Sequence, residues 1–168
     1  MIRPGFRALS ALGFLGCAGG MAFALYLQHV KGFEPCPMCI FQRIAMSTAG
    51  LLFLAGAAIG PRAPGGRWIW SLLPALGALV GAGISGRQVW LQSLPADQVP
   101  ACGPTLDYLM KMMPLQNVVT YVLKGEGSCA KIDAQWLGIA LPEWTLFGFI
   151  ALALFALAMP LLARRAAA

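Results

Sequence analysis

Charge is what this sequence has least of. Charged residues make up 11% of its 168 residues, six of them are acidic, and His29 is the single histidine. An ordinary soluble domain carries about 25% charged residues. So little polar surface excludes a monomer that sits in water. A hydrophobic content of 59% excludes a disordered chain. The long apolar runs contain no Asp, Glu or His, which leaves no ionisable path for an ion through them. Internal repeats are absent, and low complexity is confined to the terminal Ala166–Ala168.

What is present is uncharged sequence in four long pieces: Ala8–Gln28, Ile44–Pro61, Trp68–Gly86 and Trp144–Ala163. Each is about 20 residues, the length of a helix that crosses the hydrocarbon of a bilayer. Lipid offers no partner to an unpaired backbone group, so helix is the expected conformation. The expected fold class is all-α. It is a polytopic membrane protein with a four-helix transmembrane bundle in a single domain, residues 1–168. Spans are expected at about 8–28, 40–61, 68–88 and 144–163. The first run also has the look of a signal peptide, with Arg3 and Arg7 in front and Ala22-Phe23-Ala24 as a cleavage site. Its uncharged length favours a retained span.

Four spans place both termini on one side. That side, residues 1–7, 62–67 and 164–168, carries Arg3, Arg7, Arg62, Arg67, Arg164 and Arg165 and no acid. The other side carries Lys31, Arg43, Arg87, Lys111, Lys124 and Lys131 against Glu34, Asp97, Asp107, Glu126, Asp133 and Glu143. The whole net charge of +6 therefore sits on one face. Positive charge in short loops and tails marks the cytoplasm. The basic balance is a topology signal, and no nucleic-acid partner is needed to explain it. Two loops then face outward, at about 29–39 and 89–143.

Four of the five cysteines lie in those loops. Disulfides persist in oxidising compartments outside the cytoplasm. Cys17, in the first span, reads as a small buried apolar residue. Cys36-Pro37-Met38-Cys39 could be half of a metal site, an idle disulfide or a redox pair. A ring this small constrains few unfolded conformations and contributes little stability. Close spacing suits a dithiol that cycles. Pro37 fits the first turn of a helix. Cys36 would then stand at a helix N-terminus, which favours a thiolate. Arg43 lies on the same face as Cys39, one turn deeper. It either snorkels to the headgroups or holds a negative charge, on Cys39 or on an electron acceptor in the bilayer. Arg87 ends the third span at similar depth and has the same two readings.

Cys102 and Cys129 enclose a longer loop, where a disulfide would also serve as a structural staple. Between them Leu106, Leu109, Met110 and Met113 follow a helical period. Leu115, Val118, Val119 and Val122 do so again after Pro114. Each segment is a short amphipathic helix. Its apolar face is expected to lie on the bilayer surface or to cover the bundle. A partner-docking segment would show the same period.

With these features in hand, the chain resembles the disulfide bond formation protein B (DsbB) family of bacterial inner-membrane thiol oxidases. The resemblance spans nearly the whole chain. It rests on the four spans, Cys36-Pro37-Met38-Cys39 with Arg43 behind it, and Trp90-Leu91-Gln92-Ser93-Leu94-Pro95. It continues through Pro100-Ala101-Cys102-Gly103-Pro104, Gly127-Ser128-Cys129 and Pro142-Glu143-Trp144-Thr145. Quinone reductases related to vitamin K epoxide reductase share a four-helix redox design but arrange their cysteine pairs differently.

The resemblance implies a multi-pass protein of the inner membrane with both termini cytoplasmic. It implies a DsbA-like periplasmic thiol oxidase as partner and a membrane quinone, ubiquinone or menaquinone, as acceptor. The DsbA–DsbB–quinone route is known to keep the bacterial periplasm oxidising. The catalytic residues it implies are Cys36, Cys39, Cys102 and Cys129. Reduced DsbA would attack Cys102 of a Cys102–Cys129 disulfide, and Cys129 would attack Cys36. Cys39 would be released beside Arg43 and donate electron density to quinone. Re-forming Cys36–Cys39 would deliver two electrons and yield quinol. Arg43 is the implied quinone-binding residue, with Gln42 and Arg87 as weaker candidates. Some family members carry His near position 88. This chain has Gln88, which leaves a quinone contact there unassigned. No resident metal is implied. Two other classes remain as alternatives. One is a structural membrane protein with stapled outer loops; the other is a metal-binding protein using its four outer cysteines.

Overall fold

The computed structural model describes residues 5–95, 97–104, 106–131 and 135–165. Arg3, Asp133 and the Ala166–Ala168 tract lie outside the described residues. Four long helices dominate: α1 (Phe6–His29), α2 (Pro37–Ile59), α3 (Pro64–Gln92) and α7 (Leu141–Arg165). All four have the length and apolar composition to cross a membrane. Three short helices lie between α3 and α7: α4 (Leu106–Met112), α5 (Leu115–Lys124) and α6 (Gly127–Ala130). The expected all-α, four-span architecture with short helices in the second loop is what the chain adopts.

The long helices form a ring in which α1 touches α2, α2 touches α3, α3 touches α7 and α7 touches α1. Short links of 30–36 and 60–63 force the first three to run antiparallel. Helices in lipid gain little from hiding apolar surface, so close backbone approach carries the packing. Gly13 and Gly81 provide it. A Cβ at Gly13 would lie 2.7 Å from the Phe53 ring, and one at Gly81 would collide with the Phe149 ring. Phe53 and Phe149 are both fully buried at these crossings. The outward faces stay apolar, with Leu12, Leu51, Leu76 and Leu154 all exposed. That is the surface a bilayer would cover.

α3 runs past the uncharged stretch at both ends. It starts at Pro64, with proline in its first turn, and continues through Arg87 to Gln92. Charge ends an apolar run without ending a helix. Arg7 serves the opposite end of the bundle. Its Nε donates to the Ala57 carbonyl at 2.9 Å and its Nη2 to the Ala58 carbonyl at 3.3 Å. These carbonyls at the end of α2 lack intrahelical partners.

The second loop is seated on the bundle end by an apolar cluster. Leu109 of α4 and Val118 and Val122 of α5 pack with Met38, Ile84 and Leu91. The amphipathic expectation for these helices is met on this covering face. Met110, Met113 and Leu115, placed on the same stripe by their period, are instead exposed. The Met113–Pro114 break separates α4 from α5. A two-residue hairpin, β1 (Gln135–Trp136) with β2 (Ile139–Ala140), leads into α7. Its tip residues Leu137 and Gly138 have φ of 55° and 78°. Left-handed residues at both positions match the twist of a tight hairpin. Glu143 then accepts the Ala140 amide at 2.8 Å.

Candidate functional site

Two of the outer cysteines are fixed by a helix end. Cys36 is the N-cap of α2 with extended backbone, and Pro37 occupies the first turn. Proline costs nothing there, because its missing N–H would have no intrahelical acceptor. Met38 is fully buried and anchors the turn. The Cys39 amide donates to Cys36 Sγ at 3.4 Å, and the two sulfurs stand 2.8 Å apart.

Buried amides close over this pair. Gln88 of α3 donates through Nε2 to Cys36 Sγ at 3.4 Å and to Cys39 Sγ at 3.6 Å. Its Oε1 accepts from Gln42 Nε2 at 2.8 Å. Gln42 Oε1 in turn accepts from Thr145 Oγ1 at 3.2 Å. The chain of bonds joins α2, α3 and α7. Gln88 Oε1 also accepts from the Cys39 thiol at 3.8 Å, so both ends of the amide meet the sulfur pair. Gln42 and Gln88 are both buried.

Arg43 lies one turn below Cys39, as the spacing predicts. Its guanidinium donates to Gln28 Oε1 and, at 3.1 Å, to the Ala24 carbonyl on α1. Cys39, Gln42, Arg43 and Gln88 share the wall of a cavity of about 140 Å³. Met21, Met46 and Phe149 supply apolar lining. Arg87 requires a correction, because it does not line this cavity. It points outward, donating to the carbonyls of Leu123 at 3.2 Å and Lys124 at 2.9 Å, with its guanidinium 4.0 Å from the Trp90 ring centroid. The last carbonyls of α5 attract a cation more strongly than an apolar cavity does. His29 is exposed at the end of α1, and Cys17 is buried in the bundle.

The other two cysteines differ sharply. Cys129, on α6, is 1% exposed and belongs to the cluster of Met38, Leu91, Leu109, Val118 and Val122. Cys36 packs against the same cluster. Cys102 is exposed and rests near Gly127. Cys129 sits against Cys36. A hydrogen bond from the Cys36 thiol holds Cys129 below the usual thiol range, and the Met38 amide adds to this despite burial. The same contact, with that to Cys39 and burial, pushes Cys36 up. The helix end was expected to favour a thiolate at Cys36. At Cys36 the two neighbouring sulfurs outweigh the helix end.

Sequence reasoning left Gln88 unassigned and missed Gln92 and Thr145, which also line the cavity. The available signal was a polar side chain embedded in an apolar helix face. Among the described residues, no group of three or more His, Cys, Asp or Glu side chains is arranged to hold a metal ion.

Residues 6–159 match the family model of disulfide bond formation protein DsbB. The chain belongs to the DsbB family. It is 50% identical over 155 residues to a disulfide bond formation protein B of Xanthomonas campestris pv. campestris, covering 92% of this chain and 90% of that protein. It is 49% identical over 144 residues to the protein of that name from Hahella chejuensis, covering 86% and 87%. The Chromohalobacter salexigens protein of the same name is 48% identical over 148 residues, covering 88% and 86%. Membership in the DsbB family makes this multi-pass membrane protein a membrane thiol oxidase, an oxidoreductase that forms disulfides.

Proposed function

We propose that the chain is a protein dithiol:quinone oxidoreductase of the bacterial inner membrane. Its termini face the cytoplasm, its cysteine loops face the periplasm, and a DsbA-like dithiol protein is its partner. One observation carries the reading. Cys36 has Cys39 on one side and Cys129 on the other, at the wall of an apolar cavity that also presents Arg43.

The cavity suits a quinone. Met21, Met46 and Phe149 match a flat apolar ring, and Gln42, Arg43 and Gln88 offer donors at its polar end. Such donors suit carbonyl oxygens that gain negative charge in a low-dielectric site. Bound there, a quinone supplies a two-electron, two-proton acceptor for closing the Cys36–Cys39 bond.

The chain's own residues do the rest by thiol–disulfide exchange. In the oxidised protein Cys102 is bonded to Cys129 and Cys36 to Cys39. A partner thiolate attacks exposed Cys102, forms a mixed disulfide and releases Cys129 as a thiolate. Cys129 attacks Cys36, and Cys39 leaves with the electron pair. The Gln88 amide is in place to hold that charge. Arg43 adds a permanent cation along the cavity wall. The partner's second thiol then displaces Cys102 and departs oxidised. Cys102 closes on Cys129, and Cys36 returns to Cys39 as a dithiol.

Mixing the purified protein with reduced DsbA-like partner and a soluble ubiquinone or menaquinone analogue tests this. Quinone-dependent loss of partner thiols is expected, and its absence with all cysteines intact ends the reading. Arg43→Met should raise the apparent KM for quinone. An unchanged KM removes Arg43 from the site.

A further inference from the structure

One buried acid plays no part in the exchange as written. Glu126 is 3% exposed and immediately precedes α6. Its carbonyl accepts the Cys129 amide at 3.0 Å. Its Oε2 is buried with no hydrogen-bond partner among the described residues. Burying a carboxyl without a partner is costly, so such a group is rarely kept for packing alone.

The backbone brings Cys102 to the same spot. Gly127 donates its amide to the Ala101 carbonyl at 3.2 Å. A Cβ at Gly127 would lie 3.1 Å from the Cys102 nitrogen and 3.2 Å from its sulfur. A Cβ at Gly103 would collide with Glu126 Oε2 and with the Tyr121 hydroxyl. Only glycine at both positions lets the Cys102 strand lie this close to the carboxyl. On its other side Glu126 lines a cleft of about 650 Å³ between the two loops, shared with Cys36.

We propose that Glu126 carries the proton that must pass from Cys102 to Cys36 when the second-loop disulfide closes. This rests on the exchange sequence above. An ordinary thiol is mostly protonated at neutral pH and does not attack until the proton is removed. Glu126 takes the proton from the Cys102 thiol. The Cys102 thiolate attacks the Cys129 sulfur of the Cys36–Cys129 bond. The Cys102–Cys129 bond forms, the Cys36–Cys129 bond breaks, and Cys36 leaves with the electron pair. Glu126 returns the proton to Cys36 across the cleft. Exchange conserves electrons, so no oxidant is consumed in this step.

The groups around Glu126 fit this traffic. Cys129 faces it from α6 and Tyr121 from α5. Glu34, Asp107 and Lys131 share the cleft with it and with Cys36.

The test compares wild type, Glu126→Gln and Glu126→Asp in quinone-dependent oxidation of a reduced DsbA-like partner from pH 6 to 9. A positioned proton carrier contributes about 10²-fold or more. Glu126→Gln is expected to lose about that factor near pH 7 and to recover steeply as pH rises. Glu126→Asp should restore the low-pH rate in part. Alkylation and peptide mapping during turnover should show the Cys36–Cys129 link accumulating in Glu126→Gln. A Glu126→Gln protein with the wild-type rate and pH profile overturns the proposal. So does a loss that is equal at every pH, or one without accumulation of the link. Wild-type protein that shows no turnover at all fails the exchange reading itself, and this inference falls with it.

Discussion

Cys129 and Cys102 belong to one loop, yet they occupy opposite environments. Cys129 is sealed in an apolar cluster against Cys36, and Cys102 is exposed. Packing explains the contrast. α5 and α4 bury Val118, Val122 and Leu109 on the bundle end, and α6 follows α5 directly. Cys102 precedes these helices and is tied down mainly by the Ala101–Gly127 backbone bond. The loop thus presents one sulfur inward, to the pair on α2, and one outward, where a protein partner can reach it. In the proposed exchange this separates the thiol that meets the partner from the thiol that meets Cys36.

The largest effects come from removing either sulfur, and they differ in kind. Cys129→Ser should abolish turnover while leaving the Cys102 thiolate able to attack the disulfide of the oxidised partner and hold it as a mixed disulfide. Cys102→Ser should abolish capture as well. Non-reducing gels with mass mapping read both, and partner capture at Cys129 in the Cys102→Ser protein would break the division of roles.

Gln88 ranks next. Its amide donates to both sulfurs of the first pair. A hydrogen bond to a charged group contributes about 1.5–3 kcal/mol, or roughly 10- to 100-fold in rate. Gln88→Leu should cut turnover by about that factor while partner capture at Cys102 persists. Equal losses in capture and turnover would show that Gln88 acts on folding alone.

Arg87→Ala addresses the seat of the loop. Losing the guanidinium bonds to the end of α5 should cost about 1 kcal/mol and slow turnover a few-fold. Faster hydrogen exchange in α5 would accompany it. Unaltered exchange would mean that the apolar cluster alone holds the loop.

The smallest effect is in titration. In the reduced protein the hydrogen bond from Cys36 holds Cys129 below the ordinary thiol range. More of it is thiolate at a given pH, so its alkylation should level off at lower pH than that of a free thiol. Removing the donor in Cys36→Ala should move the Cys129 curve to higher pH. No movement, or movement downward, would contradict the assigned cause.

Much of this was legible in the residues. Four uncharged runs gave four long helices, and Pro37 marked the start of α2 with Cys36 as its cap. The spacing from Cys39 to Arg43 put both on one cavity wall. Other features needed three dimensions. Gln88, Gln42 and Thr145 sit on three helices, and no local pattern states that their side chains converge. Arg87 was pulled away by the end of α5, whose position depends on tertiary packing. Helical period placed Met110 and Leu115 on the covering stripes, but the buried rows are narrower, Leu109 on α4 and Val118 with Val122 on α5. The adjacency of Cys129 to Cys36 spans distant stretches of chain, and cysteine spacing alone could not choose it over other pairings.

The central claim is that Cys129, rather than Cys102, is the neighbour of Cys36. Two double variants test it directly, each leaving Cys36 one candidate partner in the outer loops. Mild oxidation of Cys39→Ser/Cys102→Ser should close a Cys36–Cys129 disulfide quickly, as read by mass mapping. The same oxidation of Cys39→Ser/Cys129→Ser should link Cys36 to Cys102 slowly or not at all. The reverse order would contradict the account.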